Sequence, residues 1–356
     1  MRRLLVTGGA GFIGSNFVHH WLRQHADDRL VVLDALTYAG NRANLVPVEA
    51  HPGFRFVHGN ICDANLVAGL LREERIDTVV HFAAETHVDR SICGPAAFIE
   101  TNVIGTHTLL EAARKVWLEE RAVESHRFHH VSTDEVYGSL GPDDAAFRET
   151  TPYAPNSPYS ASKAASDHLV RSYHHTFGLQ VTTSNCSNNY GPYHFPEKLI
   201  PLIIVNMLHG KPLPIYGDGR NVRDWLHVSD HCRAIELILE AGRTGEVYNV
   251  GGRAETENLQ LVRSLCAVAE QLFEAQPQLR SRYPQCPAKS FADLIRFVKD
   301  RPGHDRRYAI DCAKIERELG FAQSVTLLEG LRETFTWYVD NDTWWRPLAA
   351  RPLVAR

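Results

Sequence analysis

Short apolar runs alternate with segments of helical spacing through the first half of the chain. Residues 3–8 (RLLVTG) form an apolar run suited to a buried strand, and a glycine turn follows at once. Residues 13–24 (IGSNFVHHWLRQ) then repeat apolar positions at helical spacing. The run at 30–36 (LVVLDAL) predicts a second strand, and the alternation at 54–63 (FRFVHGNICD) predicts a third. A helical stretch at 66–74 leads to a fourth strand at 77–85 (DTVVHFAAE). Helical spacing resumes over 98–116, and 127–133 (RFHHVST) ends a fifth strand. A helix at 159–176 and a strand at 180–191 complete the series. Strand–helix alternation with nearly continuous apolar strands predicts an α/β fold built on a doubly wound parallel sheet. Such a sheet binds ligands outside the carboxyl ends of its strands.

Beyond residue 191 the pattern becomes irregular. Residues 192–230 are rich in Pro and Gly, 230–241 read as a helix, and 245–252 as a returning strand. Two helical segments follow, near 258–274 and 325–340. The expected division is a nucleotide-binding Rossmann domain over 1–186 and 229–252, with a smaller, mostly helical lobe over 187–228 and 253–356.

Composition narrows the function classes. The 356 residues are 44% hydrophobic and 22% charged, with a net charge of −4, so no global basic field suggests nucleic acid or an anionic membrane as partner. No window approaches the length of a membrane-spanning helix, and the N-terminus has no export signal, so a cytoplasmic location is expected. Seven scattered cysteines without a C-x-x-C pair are expected as free thiols. The 19 histidines form no ligand set at metal spacing, so no metal is expected.

Candidate chemistry sits at the predicted strand ends. TGGAGFIG places Gly8, Gly11 and Gly14 between a strand and a helix, where glycines admit a pyrophosphate and the helix start supplies N–H donors. Asp34, twenty residues after Gly14, suits a ribose diol and repels a 2′-phosphate, which favours NAD over NADP. GNICD at 59–63 is expected to flank adenine, and the small residues of FAAET at 82–86 to leave room for the middle of the cofactor. Tyr159 and Lys163 fall at i and i+4 on one helix face, where an ammonium, together with a positive nicotinamide ring, would lower the phenol pKa. At the end of the fifth strand, Thr133, Asp134 and Glu135 stand side by side. Successive strand residues point to opposite faces, so both carboxylates reach one substrate only if the strand ends or bends near Asp134. The alternative, a helix-capping STDE, is disfavoured because VYGS does not read as a helix.

TGGAGFIG, AAETHVDRSI, STDEVYG, YSASK, SNNYGP, EKLIP, PIYGDGRNVRDWLHV and DRPGHDRRYAID together resemble the extended short-chain dehydrogenase/reductase superfamily. Within it they resemble the NAD-dependent dehydratases of sugar nucleotides that act on dTDP-glucose in deoxysugar (rhamnose) pathways, over nearly the whole chain. The resemblance implies oxidation at sugar C4, loss of water across C5–C6, and hydride return to C6. Tyr159 would take the C4 hydroxyl proton, with Lys163 lowering its pKa and Thr133 bonding O4. Glu135 would remove the C5 proton, and Asp134 would protonate the departing hydroxyl. The implied cofactor wall comprises Gly8, Gly11, Phe12, Ile13 and Gly14, then Asp34, Ala35, Leu36 and Thr37. Asn60, Ile61, Ala83, Ala84, Glu85, Thr101 and Asn189 complete it beside Tyr159 and Lys163. The implied substrate contacts are Thr86, His87, Thr133, Asn188, Lys198 and Leu199, then Pro214, Ile215, Tyr216, Arg223 and Asn258. The loop with Asp300, Arg301, His304 and Asp305 is added to them. Arg223 is the leading diphosphate ligand, unless it pairs with Asp224 or Asp218.

Two positions depart from the family pattern: Asn60 replaces a usual Asp, and Thr86 a usual Ser. A homodimer is implied, with the 98–116 and 159–176 helices as its seam. A related UDP-sugar dehydratase or 4-epimerase is the nearest alternative, although an epimerase needs no acid for C6. A non-catalytic NAD-binding protein is more distant, since Tyr159, Lys163 and Glu135 are all present.

Overall fold

The structure, a computed structural model, describes residues 1–287, 290–300 and 303–350. Six strands appear in order: β1 (Arg3–Thr7), β2 (Arg29–Asp34), β3 (Phe54–His58), β4 (Thr78–His81), β5 (Arg127–Thr133) and β6 (Val181–Cys186). Four short strands follow, β7 (Asn188–Tyr190), β8 (Leu213–Tyr216), β9 (Val222–Arg223) and β10 (Trp225–His227), before β11 (Val247–Val250). The main sheet runs β11-β6-β5-β4-β1-β2-β3, parallel throughout. Strand order reverses between β1 and β4, which opens a crevice at their carboxyl ends.

Helices on both faces explain why the strands are continuously apolar. Leu5, Val31 and Val79 pack under the helices Ala64–Glu73, Thr106–Ala113 and Pro158–Phe177, against Val67, Leu109 and Val170. Leu4, Val6 and Val32 pack on the other face against Phe17 and Trp21 of Phe12–Gln24 and Ile235 of Val228–Ala241. Both sets are removed from water, so neither face alternates with polar residues.

Several predicted boundaries shift. β3 ends at His58, and Asp63 instead caps the helix Ala64–Glu73 by accepting from Asn65 and Leu66 N–H. β4 ends at His81, which frees residues 82–85 to line the crevice. The run 180–191 is two strands: after Cys186 the chain leaves the main sheet, and β7 pairs with β10. The rod from Ala96 to Glu119 contains two wide π-helical turns, Ile99–Gly105 and Arg114–Glu119.

The second lobe buries its own core, where Ile200 and Ile203 of Leu199–Leu208 meet Leu261 and Leu265 of Asn258–Ala275 and Phe335 of Leu327–Asp340. β8 pairs in parallel with Ile295–Val298. Residues 310–321, assigned to the lobe from sequence, pack elsewhere. Ile310, Cys312, Ile315 and Phe321 lie against Tyr248 and Val250, covering the edge strand β11.

Candidate active site

A cleft of about 350 Å³ opens at the crevice and reaches from the glycine turn to the helix Leu199–Leu208. Gly8 has φ +71°, and a Cβ there would lie 2.6 Å from Ala83 N; at Gly14 it would lie 2.3 Å from Gly8 O. These two glycines let the turn close on itself and on β4. Gly11 is the N-cap of Phe12–Gln24 and has no side chain to satisfy the first N–H groups, so the helix start faces the cleft bare. That arrangement fits a pyrophosphate. Asp34 accepts from Ala10 N at 2.9 Å and Leu36 N at 2.8 Å, which fixes its carboxylate at the cleft wall. Among the predicted cofactor residues, Gly8, Gly11, Phe12, Ile13, Gly14, Asp34, Ala35 and Thr37 line the cleft. So do Asn60, Ile61, Ala83, Ala84, Glu85, Thr101, Tyr159, Lys163 and Asn189. Leu36 does not: its φ of +49° turns the side chain against the core beneath β2. The first wide helical turn carries Asn102, whose side chain accepts from Glu85 N at 2.8 Å and donates to Glu85 O at 3.0 Å. This pairing holds the strand exit in place. Asn60 accepts from Cys62 N at 2.9 Å, an Asx turn that an Asp would also form.

The reacting groups converge where β5 stops. Thr133 is the last strand residue, and Asp134–Tyr137 form a 3-10 helix that Thr133 Oγ1 caps by accepting from Glu135 N at 3.2 Å. The capping pattern and the chemical pattern therefore coincide, and the cap bends the chain so that Thr133, Asp134 and Glu135 all line the cleft. Asp134 is 1% exposed, and its Oδ2 has no protein partner among the described residues. Burial, then the charges of Glu135 and Asp224, push its pKa well above the carboxylate range against the pull of Arg223. Burial of Asp134 therefore favours the protonated form of its carboxyl.

Tyr159 departs from expectation. Burial, followed by Glu135, raises its pKa well above that of free tyrosine. Lys163 does not offset this, because its Nζ donates to Val131 O at 2.9 Å within the interior. Burial lowers the Lys163 pKa, with Asp167 opposing the shift. A phenolate here needs further positive charge in the cleft.

The predicted substrate residues divide. Thr86, Thr133, Asn188, Lys198 and Leu199 line the cleft, and Lys198 Nζ donates to Thr86 O at 3.1 Å. His87 instead caps the helix Val88–Cys93 and turns its Nε2 to Glu197 at 2.7 Å, away from the cleft wall. Ile215 is 1% exposed and belongs to the lobe core, leaving only its backbone for a ligand. Pro214 and Tyr216 flank it on β8, beyond the cleft lining. Arg223 is buried over the Tyr308 ring at 4.1 Å and donates to Val222 O at 2.7 Å and Asp305 O at 2.9 Å. Asp218 pairs with Arg306, and Asp224 accepts from Gly252 and Ala254 N–H. Asp305 also accepts from Asn156 at 2.8 Å, and His304 pairs with Asp300 at 2.6 Å. Asn258 keeps a buried Oδ1 without a protein partner among the described residues. Arg301 lies outside the described residues.

Sequence reasoning missed Tyr38, His194 and Trp225, which also line the cleft. His194 stacks on Phe12 with centroids 4.2 Å apart, and Trp225 Nε1 is buried with no protein partner among the described residues. Tyr38 and His194 fall outside the quoted motifs, and Trp225 sits within PIYGDGRNVRDWLHV with no spacing that marks it.

A parallel sheet whose switch point holds a bare helix N-terminus, with a Tyr–Lys pair on the helix Pro158–Phe177 lining the same cleft, defines an extended short-chain dehydrogenase/reductase. Within that class the chain belongs to the nucleotide-sugar 4,6-dehydratase family, whose description as GDP-mannose 4,6 dehydratase matches residues 5–334. The dTDP-glucose 4,6-dehydratase of Xanthomonas campestris is 56% identical, with 97% of this chain and 95% of that protein covered. That of Neisseria meningitidis is 53% identical over 97% and 96%. Among solved structures, the dTDP-glucose 4,6-dehydratase of Streptomyces venezuelae with NAD and TYD bound superposes with a TM-score of 0.85. It is 50% identical, covering 97% of this chain and 99% of that one. The UDP-glucose 4-epimerase of Thermotoga maritima shares the fold at 0.80 but only 28% identity, covering 95% and 99%.

Proposed function

We propose that the protein is an NAD-dependent hydro-lyase that converts dTDP-glucose to dTDP-4-keto-6-deoxyglucose. One observation carries this reading: Asp134, 1% exposed and with its carboxyl pKa raised by burial, stands next to Glu135 in the cleft that also holds Tyr159 and Lys163. Oxidation and return of hydride are the chemistry that NAD bound by the glycine turn and Asp34 supplies. With bound NAD supplying the positive charge that favours a Tyr159 phenolate, Tyr159 accepts the C4 hydroxyl proton, and Thr133 bonds the same oxygen. With a ketone at C4, the C5 proton becomes acidic enough for Glu135 to remove. Asp134 delivers its proton to the C6 hydroxyl, which leaves as water, and C5 is finally reprotonated. An epimerase would gain nothing from a protonated acid here.

Cleft residues from the second lobe, Asn188, Lys198 and Leu199, support a nucleotide-sugar site between the lobes, with Arg223 and Asn258 behind it. The division at residues 187–228 and 253–356 belongs to this proposal, less the segment that covers β11. Seven free cysteines support a cytoplasmic setting in deoxysugar (rhamnose) precursor synthesis, and no described helix is long and apolar enough to cross a membrane. Exposed Ile99, Ile104 and Phe177, on the rod and on the helix Pro158–Phe177, support a homodimer through those helices.

Incubation with dTDP-glucose in heavy water, followed by mass spectrometry, tests the reading. The expected product has lost one water and carries one solvent deuterium at C5. Isomerisation without loss of water overturns the proposal.

A further inference from the structure

One helical turn beyond Lys163, on the same face of the helix Pro158–Phe177, lies Asp167. It is 5% exposed, yet ordered by two partners: Oδ1 faces His130 Nε2 of β5 at 3.1 Å, and Oδ2 accepts from the Tyr153 hydroxyl at 2.9 Å. Tyr153 is itself fixed by Asn185 Nδ2 of β6 at 3.0 Å. Lys163 is 4% exposed and reaches only as far as Val131 O. An ammonium in so dry a place loses its proton readily unless an opposite charge stands near it.

We propose that Asp167 is a positioning residue for the reacting centre, its carboxylate held by Tyr153 and His130 so that the Lys163 ammonium stays charged beside Tyr159. The inference rests on the reading that Tyr159 and Lys163 serve C4 oxidation. The surrounding groups leave Asp167 as the source of negative charge. From β5 and β4, His130 and His81 pack with ring centroids 5.3 Å apart. Burial, with Lys163 adding to it, depresses both their pKa values well below the usual one, so both stay neutral. Neutral His130 with Nδ1 unpartnered among the described residues is the tautomer that donates from Nε2 to an ionised Asp167. From β6, burial pushes the Cys186 thiol up to about 12, so it too is neutral. Burial also raises Tyr153 and Tyr137, with Asp167 contributing, which keeps both as phenols. On its own helix, His168 adjoins Asp167. Burial pushes Asp167 to about 6 against the pull of Lys163, which leaves it ionised at neutral pH.

The test compares Asp167→Asn with Tyr153→Phe, which removes a hydrogen bond and keeps the charge. Two measurements are made on full-length protein. The first is the pH dependence of nicotinamide reduction by dTDP-glucose in an Asp134→Asn background, where C4 oxidation proceeds without elimination. Asp167→Asn should move the alkaline limb down by roughly one to two pH units, the effect of removing a charge one helical turn away in a buried setting. Tyr153→Phe should leave it within a few tenths of a unit. The second is the thermal midpoint between pH 7 and 9. Lys163 in Asp167→Asn binds fewer protons folded than unfolded, so this variant alone should gain stability relative to the parent as pH rises. An unmoved limb with parallel midpoints overturns the inference. If Asp167→Asn does not fold, Asp167→Ser gives the same readouts with a hydroxyl in place of the charge. Absence of any nicotinamide reduction in Asp134→Asn alone counts against the oxidation reading instead.

Discussion

Two adjacent carboxylates in one cleft do not ionise equally, and here burial falls on Asp134. In the proposed reaction this asymmetry suits Asp134 to the role of acid and Glu135 to that of base. Asp134→Asn keeps the shape and loses the proton, so turnover should fall by about 10²–10⁴-fold while C4 oxidation survives. Rapid-mixing absorbance and product analysis separate the two steps. The raised pKa also sets a sign: Asp134 is an acid only below its folded value, so water loss in the parent protein should decline as pH rises through it. A turnover profile that climbs steadily to high pH would contradict the assignment. At this scale most of the site was legible, because glycines, the Thr-Asp-Glu triplet and the Tyr–Lys pair carry their chemistry in short spacings. What was not legible is environmental. Tyr159 reads as a lowered phenol from its spacing to Lys163, but burial and Glu135 raise it. Tyr38, His194 and Trp225 bear no local mark, and His87 bears a misleading one, since Glu197 draws its ring aside.

Elements deliver these residues through their ends. β5 stops at Thr133 because its side chain caps the next turn, and that turn aims the carboxylates. The helix Pro158–Phe177 starts from a Ser157–Ser160 capping box with Pro158 at its first position, just ahead of Tyr159. Ser157→Ala should therefore cost about 1 kcal/mol in chemical denaturation. A larger loss in turnover than in stability would show that the cap also sets the Tyr159 position. Strand and helix order could be read from apolar runs, but their exits could not. The run 180–191 looks like one strand because β-type composition continues past Cys186. The break comes from Ser187 and Asn188, whose N–H groups bond Val250 O on the main sheet and Asp224 O just ahead of β10. Periodicity carries no record of such a partner.

For the whole molecule, the switch point between β1 and β4 and the second lobe jointly enclose the cleft. The doubly wound parallel sheet was foreseeable from the alternation of strands and helices, whereas the return of residues 310–321 to cover β11 was not, since that segment lies far along the chain from its partner. Ile99 and Ile104, 49% and 45% exposed, should be shielded in the proposed dimer. Replacing both by Arg should yield a monomer in sedimentation analysis, while an unchanged oligomer would place the seam elsewhere. The central claim is that one cleft removes hydride from C4 and returns it to C6 after water has left. dTDP-glucose bearing deuterium at C4 tests this directly by nuclear magnetic resonance of the product. The account predicts that the deuterium appears in the C6 methyl group; its retention at C4, or its loss to solvent, would contradict it.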